Sequence, residues 1–186
     1  MRWMIASDIH GSAFYCRMLF EQYKKESADR MILLGDLLYH GPRNDLPKDY
    51  NPRAVIEMLN AHASDILCVR GNCEAEVDQM VLSFPVMGEY ALLPYKEKLI
   101  YITHGHHASA SNPPALKKGD ILLHGHTHVP ACIEYSNFIY MNPGSIAIPK
   151  EGSCHSYMVF EEGEFQWKNL ETGEVYKDYR ITACGS

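Results

Sequence analysis

A chain of 186 residues, 46% hydrophobic and 22% charged, is expected to form one domain over residues 1–186, with a core large enough to hold without disulfide staples. Its formal net charge of −6 argues against a surface built to coat nucleic acid. The apolar run at residues 3–6 is too short for a signal peptide or a membrane span, and none of the six cysteines forms a CxxC pair, so reduced thiols in a cytoplasmic protein are expected.

The elements follow in order. Trp3-Met4-Ile5-Ala6 reads as a strand that runs straight into Ser7-Asp8-Ile9-His10-Gly11. Ser12 is a candidate helix cap, and Phe14, Met18, Leu19 and Tyr23 then recur at helical spacing. Met31-Ile32-Leu33-Leu34 is apolar at every position, as a strand buried on both faces is, and it ends in Gly35-Asp36. After a proline-containing loop over 39–51, Asn51-Pro52 suits a cap and first helical position, continued by Val55, Met58, Leu59 and His62. A third buried strand over 66–69 ends in Arg70-Gly71-Asn72-Cys73-Glu74, and a short helix through Val77 and Met80 follows.

From Val86 the texture changes to shorter, more alternating strands. Leu99-Ile100-Tyr101-Ile102 leads into Thr103-His104-Gly105-His106-His107, and Asn112-Pro113-Pro114 is read as the start of a short helix to Lys118. A strand over 120–123 runs into His124-Gly125-His126-Thr127-His128. If extended, that stretch would put its three histidines on one side; a turn after Gly125 would aim His126 and His128 separately. Segments 132–135 and 138–141 read as a hairpin closed by Asn142-Pro143-Gly144-Ser145, and strands over 157–160 and 165–170 flank Glu162-Gly163. Strand–helix alternation early and strands late predict an α/β sandwich of two sheets.

Five apolar strands thus end in polar sets: Asp8/His10, Asp36, Asn72, His104 and His126/His128. Sites in α/β sheets form outside the carboxyl ends of strands, and core packing does not require five strands to finish this way. Carboxylate, imidazole and amide donors without thiolate suit Mn²⁺, Fe²⁺, Zn²⁺ or Ni²⁺. Seven candidates exceed what one ion uses comfortably. Two ions about 3.5–4 Å apart, sharing one carboxylate and an acidified bridging hydroxide, fit better and serve in-line displacement at phosphorus.

In this order and spacing, DIH, GDLLYHG, RGNCE, THGHH and GHTH resemble the calcineurin-like metallophosphoesterase superfamily. HGPRN, GNCEAEVDQM and NPGSIAIPK are similar to its YfcE-like phosphodiesterase branch. The resemblance implies a four-layer αββα sandwich of two mixed sheets flanked by helices, with a dimetal centre at the strand ends. It puts Asp8, His10 and His128 on one metal, Asn72, His104 and His126 on the second, and Asp36 between them. Mn²⁺ is the first expectation, with Fe, Zn or Ni as alternatives. His106 would lie beside the site, supporting it or touching phosphate; Asn72 would also donate to the substrate, and Arg43 and Asn44 would border its pocket.

Many relatives carry histidine after the asparagine, as the candidate general acid for the leaving oxygen. Here that position is Cys73, a neutral thiol and a poorer acid, so substrates with good leaving groups should suffer least. The same substitution leaves open the role of Glu74, which would otherwise orient that histidine. His124, His40, His62, His107 and His155 are read as ordinary packed or polar residues. The expected function is hydrolysis of a small phosphodiester by a metal-bridging hydroxide, with no nucleic-acid polymer and no membrane as partner. Relatives form homo-oligomers, so a dimer or tetramer stays open. The alternatives are a phosphomonoesterase or nucleotide phosphatase on the same centre, or a non-catalytic scaffold of the kind a retromer subunit provides.

Overall fold

Successive side chains of a strand point to opposite faces, and in this protein that alternation sorts the core into layers. The computed structural model describes residues 1–181. Its elements are β1 (Arg2–Ala6), α1 (Ala13–Glu26), β2 (Arg30–Leu33), α2 (Pro52–Asn60), β3 (Ile66–Cys68), α3 (Glu76–Val81), β4 (Tyr90–Tyr95), β5 (Lys98–Thr103), β6 (Asp120–Leu123), β7 (Ala131–Glu134), β8 (Phe138–Asn142), β9 (Ser156–Glu161), β10 (Glu164–Asn169) and β11 (Val175–Arg180). Met4, Ala6, Met31 and Leu33 pack with Leu19, Val55 and Leu59 of α1 and α2. Ile5 and Ile32 point the other way, into a second core with Ile100, Ile102, Ile121 and Leu123. Each fully buried aliphatic side chain contributes about 1.5–3 kcal/mol, which fixes the register of every strand between these layers.

Two mixed sheets result. The first has the order β11-β10-β9-β1-β2-β3, parallel across β1, β2 and β3 and antiparallel beyond β1. The second has the order β4-β5-β6-β8-β7, parallel through β5, β6 and β8, with antiparallel edges. The helix starts are those expected: the Ser12 hydroxyl accepts the Tyr15 N–H at 3.3 Å, and the Asn51 side chain accepts the Ala54 N–H at 3.2 Å ahead of Pro52.

The short helix expected over 112–118 does not form. A residue before proline is pushed out of the helical region, and Pro113-Pro114 leaves only four residues before Gly119. The irregular segment instead lays Ala110 and Leu116 on Leu122, Phe138 and Tyr140, covering the outer face of the second sheet without a helix. The 132–141 hairpin turns at 135–137, and Asn142-Pro143-Gly144-Ser145 follows it rather than closing it. Strands β4 and β11 were not individually expected; both are sheet edges, where Pro94 and alternating exposed side chains are tolerated. Among the described residues no helix is long and apolar enough to cross a membrane. Cys16, Cys68, Cys73, Cys132 and Cys154 are unpaired, and Cys184 lies outside the described residues.

Candidate metal centre

The loops after β1, β2, β3, β5 and β6 leave their strands at carboxyl ends and converge. Backbone bonds tie the first two together: Asp8 N–H donates to Gly35 O at 3.2 Å, His10 N–H to Asp36 O at 2.9 Å, and Gly11 N–H to Leu37 O at 2.8 Å. The chain turns inward sharply here. Asp8, His10, Asp36, His126 and His128 all have positive φ, between 49° and 67°. Strained backbone of this kind persists only where surrounding structure over-determines it, and it clusters at functional sites. A Cβ on Gly35 would lie 2.4 Å from the Gly71 nitrogen, so the loops after β2 and β3 cross where only glycine fits.

The seven expected ligand residues come together in two overlapping groups. In the first, the His10 and His128 Nε2 atoms are 3.3 Å apart, with Asp8 Oδ1 at 3.6 and 3.2 Å from them. In the second, His104 Nε2 lies 3.1 Å from Asn72 Oδ1 and 3.2 Å from His126 Nδ1. Asp36 touches both: Oδ2 is 3.7 Å from His10 Nε2, and Oδ1 is 3.5 Å from His104 Nε2. Donor atoms of Asp8, His10 and His128, and of Asp8, Asp36 and His104, fall within 4.8 Å of one another.

The histidine tautomers are set from behind. His10 Nδ1 bonds Tyr39 O at 2.8 Å, His104 Nδ1 bonds Leu34 O at 2.7 Å, and His128 Nδ1 bonds Ile148 O at 2.6 Å. A carbonyl only accepts, so each Nδ1 carries the proton and each Nε2 turns its lone pair into the centre. Asp8 Oδ1 is buried with no hydrogen-bond partner. Lone pairs facing one another beside an orphaned carboxylate oxygen is an arrangement that a cation satisfies. Protons would otherwise have to serve: burial works against charge on His104, yet the nearby Asp36 and Asp8 outweigh it and raise its pKa to about 9. Burial likewise opposes ionised Asp36, and His104 overcomes it, holding that carboxyl below its usual range.

Glu74 does something the sequence did not reveal. With no histidine at position 73 to orient, its buried carboxylate accepts backbone N–H groups from Asp36 (2.9 Å), Leu37 (2.7 Å) and Gly71 (2.5 Å), stapling one ligand loop to the next. Cys73 donates its backbone N–H to Asp36 Oδ1 at 2.9 Å, and burial, with Asp36 beside it, pushes its thiol pKa up. Its sulfur therefore stays protonated.

A cleft of about 330 Å³ opens onto the centre, lined by His10, Asp36, Asn72, Cys73, His126 and His128 and rimmed by Gly41, Pro42, Arg43, Asn44 and Lys150. Arg43 and Lys150 are exposed, and their side chains make no bond to an acidic group among the described residues. Asn44 donates its amide to His40 O at 2.9 Å, bracing its own loop. Lys150 went unassigned in the sequence; the end of NPGSIAIPK was its only signal. His106 is not among the lining residues: its ring sits 5.4 Å from that of His104, and burial, with His104 and His107 nearby, lowers its pKa to about 4. His124 packs as expected, stacked on Tyr140 at 4.3 Å, and the turn after Gly125, not an extended run, aims His126 and His128.

The chain is similar to known proteins along most of its length. A family model described as a calcineurin-like phosphoesterase superfamily domain matches residues 1–164. Phosphodiesterase YfcE of Escherichia coli (strain K12) is 43% identical over 157 residues, covering 84% of this chain and 85% of that one. The solved structure of Yfce, a phosphoesterase from E. coli, superposes with a TM-score of 0.94 at 38% identity, covering 98% of this chain and 100% of that chain. Zn²⁺-complexed Vps29 from Entamoeba histolytica shares the fold alone, with a TM-score of 0.63 at 16% identity over 98% of this chain and all of that one.

Proposed function

Since the chain belongs to the calcineurin-like phosphoesterase superfamily, we propose that it is a metal-dependent phosphodiesterase acting on a small phosphodiester with two divalent cations. The observation that carries the reading is the pair of lone-pair clusters joined by Asp36. Asp8, His10 and His128 would hold one ion, Asn72, His104 and His126 the other, and Asp36 would reach both. The oxygen and nitrogen donors fit Mn²⁺, our first assignment, and also Fe, Zn or Ni. When bound, such a pair supplies an acidified water as nucleophile and a clamp for phosphoryl oxygens.

The chain's own residues do the rest. Asn72 turns Oδ1 toward His104, and its Nδ2, 3.3 Å from Cys73 Sγ, is the donor left for a substrate oxygen. Arg43 and Lys150 stand at the mouth of the cleft as a cationic gate on an otherwise acidic protein, drawing a phosphodiester inward. His106, set back from the cleft, is left out of substrate contact. Cys73 cannot readily protonate a departing alkoxide, so turnover favours diesters whose leaving alcohol is acidic. The setting we assign is cytoplasmic, since none of the six cysteines forms a CxxC pair and a core of this size needs no disulfide.

Hydrolysis of a bis-aryl phosphate, compared with the corresponding aryl monoester, tests the reading. EDTA should abolish it, Mn²⁺ should restore it, and Asp36→Ala should lose most of it. Persistent activity in metal-free protein, or a faster monoester reaction, would overturn the assignment.

A further inference from the structure

A second group of metal-type donors lies next to the centre but outside the cleft. Strand β4 pairs with β5 so that Tyr90 faces Thr103, and the Thr103 hydroxyl donates to Glu89 O at 3.3 Å. This register sets Glu89, just before β4, beside the loop that follows β5. There the His106 and His107 rings meet edge-on at 4.0 Å, and one donor atom from each of Glu89, His106 and His107 lies within 4.8 Å of the others. His106 Nδ1 is buried and has no hydrogen-bond partner. None of the three residues lines the cleft.

We propose that Glu89, His106 and His107 form a third divalent-cation site, distinct from the dinuclear centre and suited to Zn²⁺. Two imidazoles and one carboxylate are a borderline-soft donor set that leaves a coordination position for water, as zinc accepts. His106 brings to the group a ring whose buried Nδ1 has no hydrogen-bond partner, so no protein hydrogen bond to that nitrogen has to be broken for the ring to take a cation. Filling the site has a cost: Glu89 is 3.2 Å from Arg70 and must exchange that partner for the ion, and Glu89 and His107 are both exposed. The third ion therefore binds after the first two, weakened by up to about the fivefold that one exposed ion pair is worth. It touches no substrate. Its route to the centre is the His106 ring, 5.4 Å from that of the ligand candidate His104.

Equilibrium dialysis of the whole protein against graded Zn²⁺, with bound metal counted per chain, tests the site without reference to hydrolysis. Glu89→Gln and His107→Gln should each bind one equivalent fewer than the parent, and the missing equivalent should be the weakest step. Asp36→Asn should keep that step while weakening the tighter ones. Both surface variants binding as many ions as the parent would overturn the third site. Loss of the tight steps from the parent itself would overturn the dinuclear reading and leave the third site standing.

Discussion

The Glu74 carboxylate accepts the Asp36 backbone N–H at 2.9 Å, so one buried acid fixes the residue that stands between the His10 and His104 donor clusters. Its other oxygen bonds Leu37 N–H, and Gly71 completes the set. Glu74→Ala strands three buried donors at about 1–3 kcal/mol each before relaxation. A loss of roughly 3 kcal/mol in urea unfolding is expected, with metal affinity lowered about 10–100-fold because a ligand's support is gone. Glu74→Gln, which keeps a carbonyl oxygen, should fall between. An alanine variant with the parent's midpoint and metal affinity would refute the staple.

Metal should stabilise the fold as well as activate it. Ions at 100 times their Kd add about 2.7 kcal/mol per site, and each kcal/mol moves Tm by roughly 2–4 °C in a chain of this size. With two sites filled, thermal scans with EDTA and with Mn²⁺ should differ by about 10–20 °C. Coincident scans would mean that the lone-pair clusters take no ion.

Replacing the thiol beside Asn72 should change which leaving groups are tolerated. Cys73→His places an imidazole where a departing oxygen needs a proton, an effect typically worth about 10²-fold or more. The gain should appear with alkyl diesters and shrink toward nothing with nitrophenyl ones. Equal gains on both would point to altered binding instead.

The gate at the cleft mouth predicts a binding effect. Lys150→Gln should raise KM for anionic diesters about fivefold, the size of one exposed charge interaction of roughly 1 kcal/mol, with kcat little changed. Because exposed charges are screened, the parent's kcat/KM should fall with added salt more steeply than the variant's. Parallel salt curves would remove Lys150 from substrate capture.

Away from the site, Glu26 is buried among Lys168, Arg2 (2.5 Å) and the Tyr157 hydroxyl (2.9 Å). Burial would raise its pKa, but hydrogen bonds from Lys168, Arg2 and Tyr157 prevail and hold it below the usual glutamate range. A depressed folded-state pKa gives stability that is present above the unfolded value of about 4.3 and lost as pH falls through the folded value. Glu26→Gln should cost about 3 kcal/mol at pH 7, with the gap to the parent closing below about pH 4. A gap independent of pH would assign the effect to packing.

The site was legible because its chemistry sits at strand ends and each strand is short, apolar and punctuated. Asp8, His10, Asp36, Asn72, His104, His126 and His128 could be read without knowing which strands share a sheet. Pairings such as Met4 with Val159 could not, since their partners lie far apart in sequence and no local pattern marks them. Pro94 hid β4, and Pro113-Pro114 suggested a helix start where too few residues followed to build one. Glu74 was legible as an acid near the site but not as a backbone anchor, because its partners are N–H groups that every residue carries. Lys150 was a single exposed cation, indistinguishable from a solvated one until the cleft was visible.

The left-handed turns at Asp8, His10, Asp36, His126 and His128 narrow what could ever stand at those positions. Aspartate, asparagine and histidine are the cation-coordinating side chains that adopt that bend most readily, so two independent preferences favour the same three letters. Glutamate stands in the same region at Glu151 and Glu162, so exchange of Asp8 for glutamate, conservative by charge, is disfavoured by the bend rather than barred by it; glycine accepts the bend and brings no donor. The signature is therefore as much a record of chain geometry as of chemistry, and a redesign that kept every donor but relaxed those bends would have to build its pocket anew.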